Sequence, residues 1–428
     1  PWHISYPSVD VRITGGAVAN LDAVLSARYG NDITLVPLSN PATAAVGEVW
    51  VDTQFEKTTG KSKPGTATAV NGQTWKATRK VSLPNINMNN PHNMWTDRNQ
   101  TLIYQTQWFD SKLAVFNRVT GAFVNNISVG EGPSHVMTRV DTDQLHVALN
   151  GTADNESVVE LAPLANGIER RIDIGRGHPH AHWMSHDGKL MVTPNSLSGD
   201  STQYNFTQDR IDAILPAGAI PIATGMTPDS KKTYVASLLD SKITVIDTQN
   251  QFVLGTINLL KNYDPIGGGV VADPDNGVGF VGALPIQTPV SPDGKSMVTA
   301  NTLTGTITIV DPKTDKVVAM LGCDPGCHGV QYGAKVGGGY YAYVSSKFSN
   351  RLIVVDANDP ANAKIAGTVS LTSAADGTTA TDDTIVGYKG MGGQGVLAVP
   401  VVYNGWVQNL PPFWKDQLSS GQKNPIGQ

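Results

Sequence analysis

Four of the chain's nine histidines fall within nine residues: His178, His180, His182 and His186, in the stretch GRGHPHAHWMSHDG from Gly175 to Gly188. In an extended segment, side chains at i, i+2 and i+4 share a face, so His178, His180 and His182 can project together. Neutral imidazole is the commonest protein ligand for zinc, copper, nickel and iron. Taken alone, the stretch reads equally as a polar surface loop. The placement of the other histidines decides between the two.

Those histidines sit in a chain built for strands. Its 428 residues include 44 glycines and 26 prolines, and only 16% are charged. That balance favours short strands and turns over long helices. The formal net charge of −5, with no basic run, argues against a nucleic-acid partner. No apolar run reaches the length of about 18 residues that a membrane-spanning helix needs, so no transmembrane segment is expected. Sequons at Asn99, Asn126, Asn150, Asn155 and Asn205 lean weakly toward export.

From Pro91 onward the chain repeats a hairpin unit. Thr233 to Asp247 reads TYVASLLDSKITVID, Met297 to Asp311 reads MVTANTLTGTITIVD, and Tyr340 to Asp356 reads YYAYVSSKFSNRLIVVD. The ends of the first run in successive units are Tyr104, Val147, Val192, Val235, Val298, Val344 and Val399, mostly 43 to 46 residues apart. The longer steps carry insertions near 261–280 and 373–383. A period of about 40–45 residues with several strands each is the mark of propeller blades. The expected fold is all-β: a seven-bladed β-propeller over 47–410, an irregular N-terminal extension at 1–46 and a tail at 411–428. The alternating stretches Gly47 to Phe55 and Gln73 to Leu83 are expected to complete the last blade by closing the ring.

Against this repeat the histidines fall into phase. Counting back twelve residues from Tyr104, Val147 and Val192 reaches His92, His135 and His180 without a gap. In the sixth unit the glycine-rich run GAKVGGG displaces the count, and a four-residue insertion restores it at His328. The fourth and fifth units carry Ala223 and Ile286. The seventh carries no histidine, its nearest polar residues being Gln394 and Lys389. In a propeller such positions converge on one end of the axis, so His92, His135, His180 and His328 are expected to face one another, with His178 or His182 joining. His146 and His186 are out of phase and read as surface residues, and His3 has no place in the repeat. Imidazoles without an adjacent carboxylate or thiolate pattern suit copper or zinc and exclude magnesium and calcium. A set larger than four suits two or three metal ions.

The repeats at 90–410 resemble the YVTN-type propellers. With its histidines the chain is also similar to the histidine-ligated copper propellers, nitrous oxide reductase and thiocyanate dehydrogenase. It lacks the paired His-His motifs and the C-x3-C-x3-H element of the former, so the three-copper arrangement of the latter is the closer fit. The resemblance implies two or three copper ions and a small inorganic or anionic substrate. It also implies an electron-transfer partner such as a cytochrome or a cupredoxin, and an exported, periplasmic or extracellular oxidoreductase. Arg176 and Lys389 are candidates to orient an anion and Glu131 to act as a base; all three also read as ordinary surface charges.

Cys323-Asp-Pro-Gly-Cys327-His328 is one residue longer than a c-haem attachment motif. A disulfide bracing the turn before His328 is the expectation, with thiolate ligation and a variant haem site as alternatives. Two other functions stay open: a non-catalytic extracellular propeller used for binding or scaffolding, and a divalent-metal hydrolase.

Overall fold

The computed structural model describes residues 36–151, 157–259, 283–324, 326–371 and 391–426. Their strands form seven four-stranded antiparallel sheets, the blades of a propeller. Blade 1 runs from Pro91 to Ser128, blade 2 from Pro133 to Asp173, blade 3 from Trp183 to Pro216 and blade 4 from Pro221 to Asn258. Blade 5 runs from Pro285 to Gly322 and blade 6 from Cys327 to Ser370. In each, β-branched and aromatic residues fill the second and third strands, which are buried on both faces between neighbouring blades.

Blade 7 is closed from both halves of the chain, as expected. Its innermost strand is Met391–Val399, and its three outer strands are Glu48–Phe55, Thr66–Asn71 and Lys76–Val81. Trp50 of this blade packs on Phe116 of blade 1, ring centroids 5.6 Å apart, and Trp75 packs edge-on against Tyr341 of blade 6. After Val399 the chain crosses the far end of the propeller, where Trp406, Leu410, Trp414 and Leu418 are buried against it. Among the described residues no helix is long and apolar enough to cross a membrane.

The feature that positions the site is an irregularity repeated in every blade. Over its first few residues, each innermost strand carries one residue more than the strand it pairs with. In blade 1, His92 and Asn93 lie between the pairs Pro91↔Gln107 and Met94↔Gln105, two residues opposite Thr106. Ser134 and His135, His328 and Gly329, and Gln394 and Gly395 occupy the same kind of bulge in blades 2, 6 and 7. Blades 3, 4 and 5 carry their extra residue after the pairs Pro179↔Asn195, Pro221↔Ser237 and Pro285↔Asn301. Proline opens five of these seven stretches, since it gives up a ladder hydrogen bond at least cost at a strand's first residue or a bulge.

Blade 7 is also held by a buried ion pair. Lys80 Nζ is 2.6 Å from Glu56, both side chains being fully buried, and it donates to Thr68 Oγ1 and the Leu371 carbonyl. Removing one partner strands the other charge, which costs about 3–5 kcal/mol. Lys80→Met should therefore lower the urea-unfolding free energy by about that amount, and an unchanged midpoint would refute the pair's role in ring closure.

Candidate metal centre

Pairing registers show which residues are equivalent. Gln107, Leu149, Asn195, Ser237, Asn301 and Ser346 stand opposite the residue that opens each inner strand. The positions that follow those opening residues are then His92, Ser134, His180, Ile222, Ile286, His328 and Gln394. His135 is the next residue along, the second of its bulge. Val147 corresponds to Gln105 rather than to Tyr104, which is why a twelve-residue count still reaches it. A bulge re-aims side chains, and the one-residue offset does not keep His135 from the others.

His92, His135 and His180 converge. One nitrogen from each lies within 4.8 Å of the other two. His92 Nε2 and His180 Nε2 are 3.3 Å apart, about the spacing of two imidazoles sharing one tetrahedral ion at roughly 2.0–2.1 Å. His180 Nδ1 lies 2.8 Å from the Ile222 carbonyl. As the N–H donor of that bond, Nδ1 leaves the Nε2 lone pair facing the cluster. His328 holds the equivalent bulge position in blade 6 but lies outside that trio; burial first, then the charges of Lys347, His180 and His135, opposes its protonation. His92 Nδ1 and His328 Nδ1 are buried without a hydrogen-bond partner.

The backbone around these ligands is stitched blade to blade. Thr106 Oγ1 donates to the Ser134 carbonyl at 2.8 Å, Asn93 accepts from Val136 N at 3.1 Å, and Ser134 Oγ donates to the His180 carbonyl at 3.3 Å. Between blades 6 and 7 the second bulge position must be glycine: a Cβ on Gly329 would lie 2.0 Å from the Gln394 carbonyl oxygen.

Burial sets the protonation state. His92 and His135 are 9% exposed and His180 is 6% exposed. Desolvation first, then mutual repulsion, holds His92 and His135 well below the usual histidine pKa. Desolvation brings His180 down to about 4. His328 is likewise held low, by burial and then by Lys347. All four are neutral at pH 7, the form in which imidazole binds metal.

The other sequence candidates fall elsewhere. His182 is buried, both ring nitrogens lack a hydrogen-bond partner, and desolvation lowers its pKa to about 3. With His135, Gln287 and Gln331 it borders a cavity. His178 is half-buried at φ 59°, and its carbonyl accepts from Asn150 and Ser196. Arg176 is exposed and paired with Asp200 at 2.9 Å. Glu131 is exposed in the turn before Pro133. Lys389 and His3 lie outside the described residues.

Two expectations are corrected. His146 is not a surface residue: it is fully buried, with Nε2 2.8 Å from Glu160, which is itself bonded to Arg170. That network takes up one ring nitrogen of a histidine the repeat phase left unexplained, while its Nδ1 is buried without a hydrogen-bond partner. His186 is half-buried and hydrogen-bonded to Ser230. Cys323 and Cys327 are buried free thiols rather than a disulfide. Cys327 Sγ turns into blade 5, 3.4 Å from the Thr306 carbonyl, and burial, then the neighbouring Cys327, pushes the Cys323 thiol up.

Trp108 and Lys347 had not been singled out. Each follows directly on a strand end, Gln107 or Ser346, so they are equivalent residues of two hairpins. The Trp108 ring lies 4.4 Å from His92 and 5.7 Å from His180, a roof over both. Lys347 is half-buried, its charge opposes protonation of His328 and His92, and desolvation lowers its own pKa to about 8. Aligning the units on strand ends rather than on the histidines would have exposed both.

No protein-family model matches the chain, and no curated protein matches it. Among solved structures it is similar to a chain of hydrazine synthase from Kuenenia stuttgartiensis, at 17% identity and a TM-score of 0.56, over 75% of this chain and 96% of that one. At that identity the likeness is one of fold alone.

The buried imidazoles link stability to pH. The unfolded chain protonates its histidines near pH 6.5, whereas folded His180 does so only near pH 4. Between those values the unfolded state binds more protons, so stability falls as pH is lowered. Urea unfolding of the metal-free protein should lose up to about 1.4 kcal/mol per pH unit for each such histidine. His180→Gln should flatten that slope, and a slope unchanged by the substitution would contradict the assignment.

Proposed function

We propose that the chain is a copper-dependent oxidoreductase acting on a small inorganic or anionic substrate. Two or three copper ions would be held at the propeller axis by His92, His135, His180 and His328, with His182 as a further donor. The observation that carries the proposal is the convergence of His92, His135 and His180 nitrogens within 4.8 Å, all in neutral form. Buried nitrogens without partners at His92, His182 and His328 suit a donor set for metal. Imidazole ligands fit copper, and with no carboxylate or thiolate among them the ions would keep most of their positive charge. That charge favours an anion.

Copper supplies one-electron chemistry when bound. The protein's part is positioning. The Ile222 carbonyl fixes the His180 tautomer, Trp108 shields His92 and His180 from water, and the stitched bulges hold the imidazoles where they meet. Ile222 and Ile286 stand at the corresponding positions of blades 4 and 5, so that side of the ring offers no ligand. Electrons would leave to a separate carrier, a cytochrome or a cupredoxin, in the periplasm or outside the cell.

Copper loading followed by metal analysis and EPR tests the proposal. Two or three copper ions per chain are expected, and His180→Ala should lose at least one of them while circular dichroism still reports the β fold. Failure to retain copper after loading, or a copper content unchanged by the substitution, would overturn it.

A further inference from the structure

The ring of ligands has a gap. Blade 7 lies between blades 6 and 1, and where those blades place His328 and His92 it places Gln394, whose amide N–H donates to Gln54 at 2.6 Å and whose Oε1 is buried without a hydrogen-bond partner. Lys347 stands at the edge of this gap, in the turn that follows Ser346 of blade 6. Its backbone N–H donates to the Gly326 carbonyl at 2.8 Å, and its carbonyl accepts from Gly392 of blade 7, anchoring it at the seam between the two blades. The two histidines whose protonation its charge opposes are those on either side of the gap, His328 and His92.

Among the described residues the Lys347 ammonium has no ion pair or hydrogen bond to protein, so its donors are open to water or to a ligand. Of the two cations the sequence offers for an anion, Arg176 is paired with Asp200 and Lys389 lies outside the described residues. A half-buried ammonium with three open donors can exchange water for a charge-assisted hydrogen bond to an anion.

We propose that Lys347 is the anion-positioning residue of the centre, holding a small anionic substrate by a charge-assisted hydrogen bond on the side of the ring that blade 7 leaves without an imidazole. The proposal rests on the copper reading and adds the residue that selects charge. Lys347 is a positioning group and not a metal ligand, so its removal should leave the metal in place.

Azide is a suitable probe, being a small anion with an absorption band on binding copper. Copper content and azide affinity would be measured together for the wild-type chain, Lys347→Met and Lys347→Arg, with neutral imidazole as a second probe. Loss of one charge-assisted hydrogen bond corresponds to about a tenfold to hundredfold weakening. Lys347→Met should keep wild-type copper and imidazole affinity while its azide dissociation constant rises by about that factor, and Lys347→Arg should recover part of the loss. Normal copper with unchanged azide affinity in Lys347→Met would overturn the role of Lys347 alone. Equal weakening of azide and imidazole would overturn it too, since a structural defect does not distinguish charge. A wild-type chain that retains no copper would overturn the copper reading and this inference with it.

Discussion

The extra residue at the start of each innermost strand is the constraint on which the centre depends. A regular ladder would alternate side chains across the sheet, and successive residues could not both serve the axis. The bulges relax that rule at the end of the channel where the blades come closest. They let His135, one place further along than His92 and His180, reach the same point. They also bring neighbouring backbones into contact, so that Thr106, Asn93 and Ser134 can tie one blade's bulge to the next. The position of one imidazole is thereby set by two or three blades.

The second determinant is the asymmetry of the ring. Blades 6, 1, 2 and 3 supply imidazoles, whereas blades 4 and 5 supply isoleucines. The packing of His92, His135 and His180 is compatible with burial because none carries charge at pH 7. Protonating one would repel the rest, and the lowered pKa values of His92 and His135 express burial first and that coupling second. A residue just beyond each second strand adds an outer layer. Asn150 holds the His178 and Pro179 carbonyls, Thr302 holds the Cys327 carbonyl, and Trp108 covers two of the rings.

The seven blades were legible because each repeats a strand–turn–strand pattern at nearly constant spacing, and closure by residues 47–83 followed from the missing outer strands of the last unit. Three histidines of the cluster were legible for the same reason. The bulge was not, because one extra residue per blade leaves the period unchanged, so Val147 was equated with Tyr104 when it matches Gln105. His146 was misplaced because its partner, Glu160, lies on the adjacent strand at no characteristic sequence distance. Lys347 was overlooked because a lysine in a hairpin turn looks like any solvated charge; its significance depends on what blade 7 lacks. The thiols of Cys323 and Cys327 were expected to bond to each other because their spacing permits it, but Cys327 turns instead to backbone acceptors in blade 5.

The proposed centre is defined by nitrogen ligation beside two cysteines that could compete for the same metal. X-ray absorption at the copper edge of the copper-loaded chain tests that distinction directly. A first shell of nitrogen alone, with the outer-shell scattering of imidazole rings, is the expected result. A sulfur scatterer from Cys323 or Cys327, or a shell without imidazole features, would contradict it.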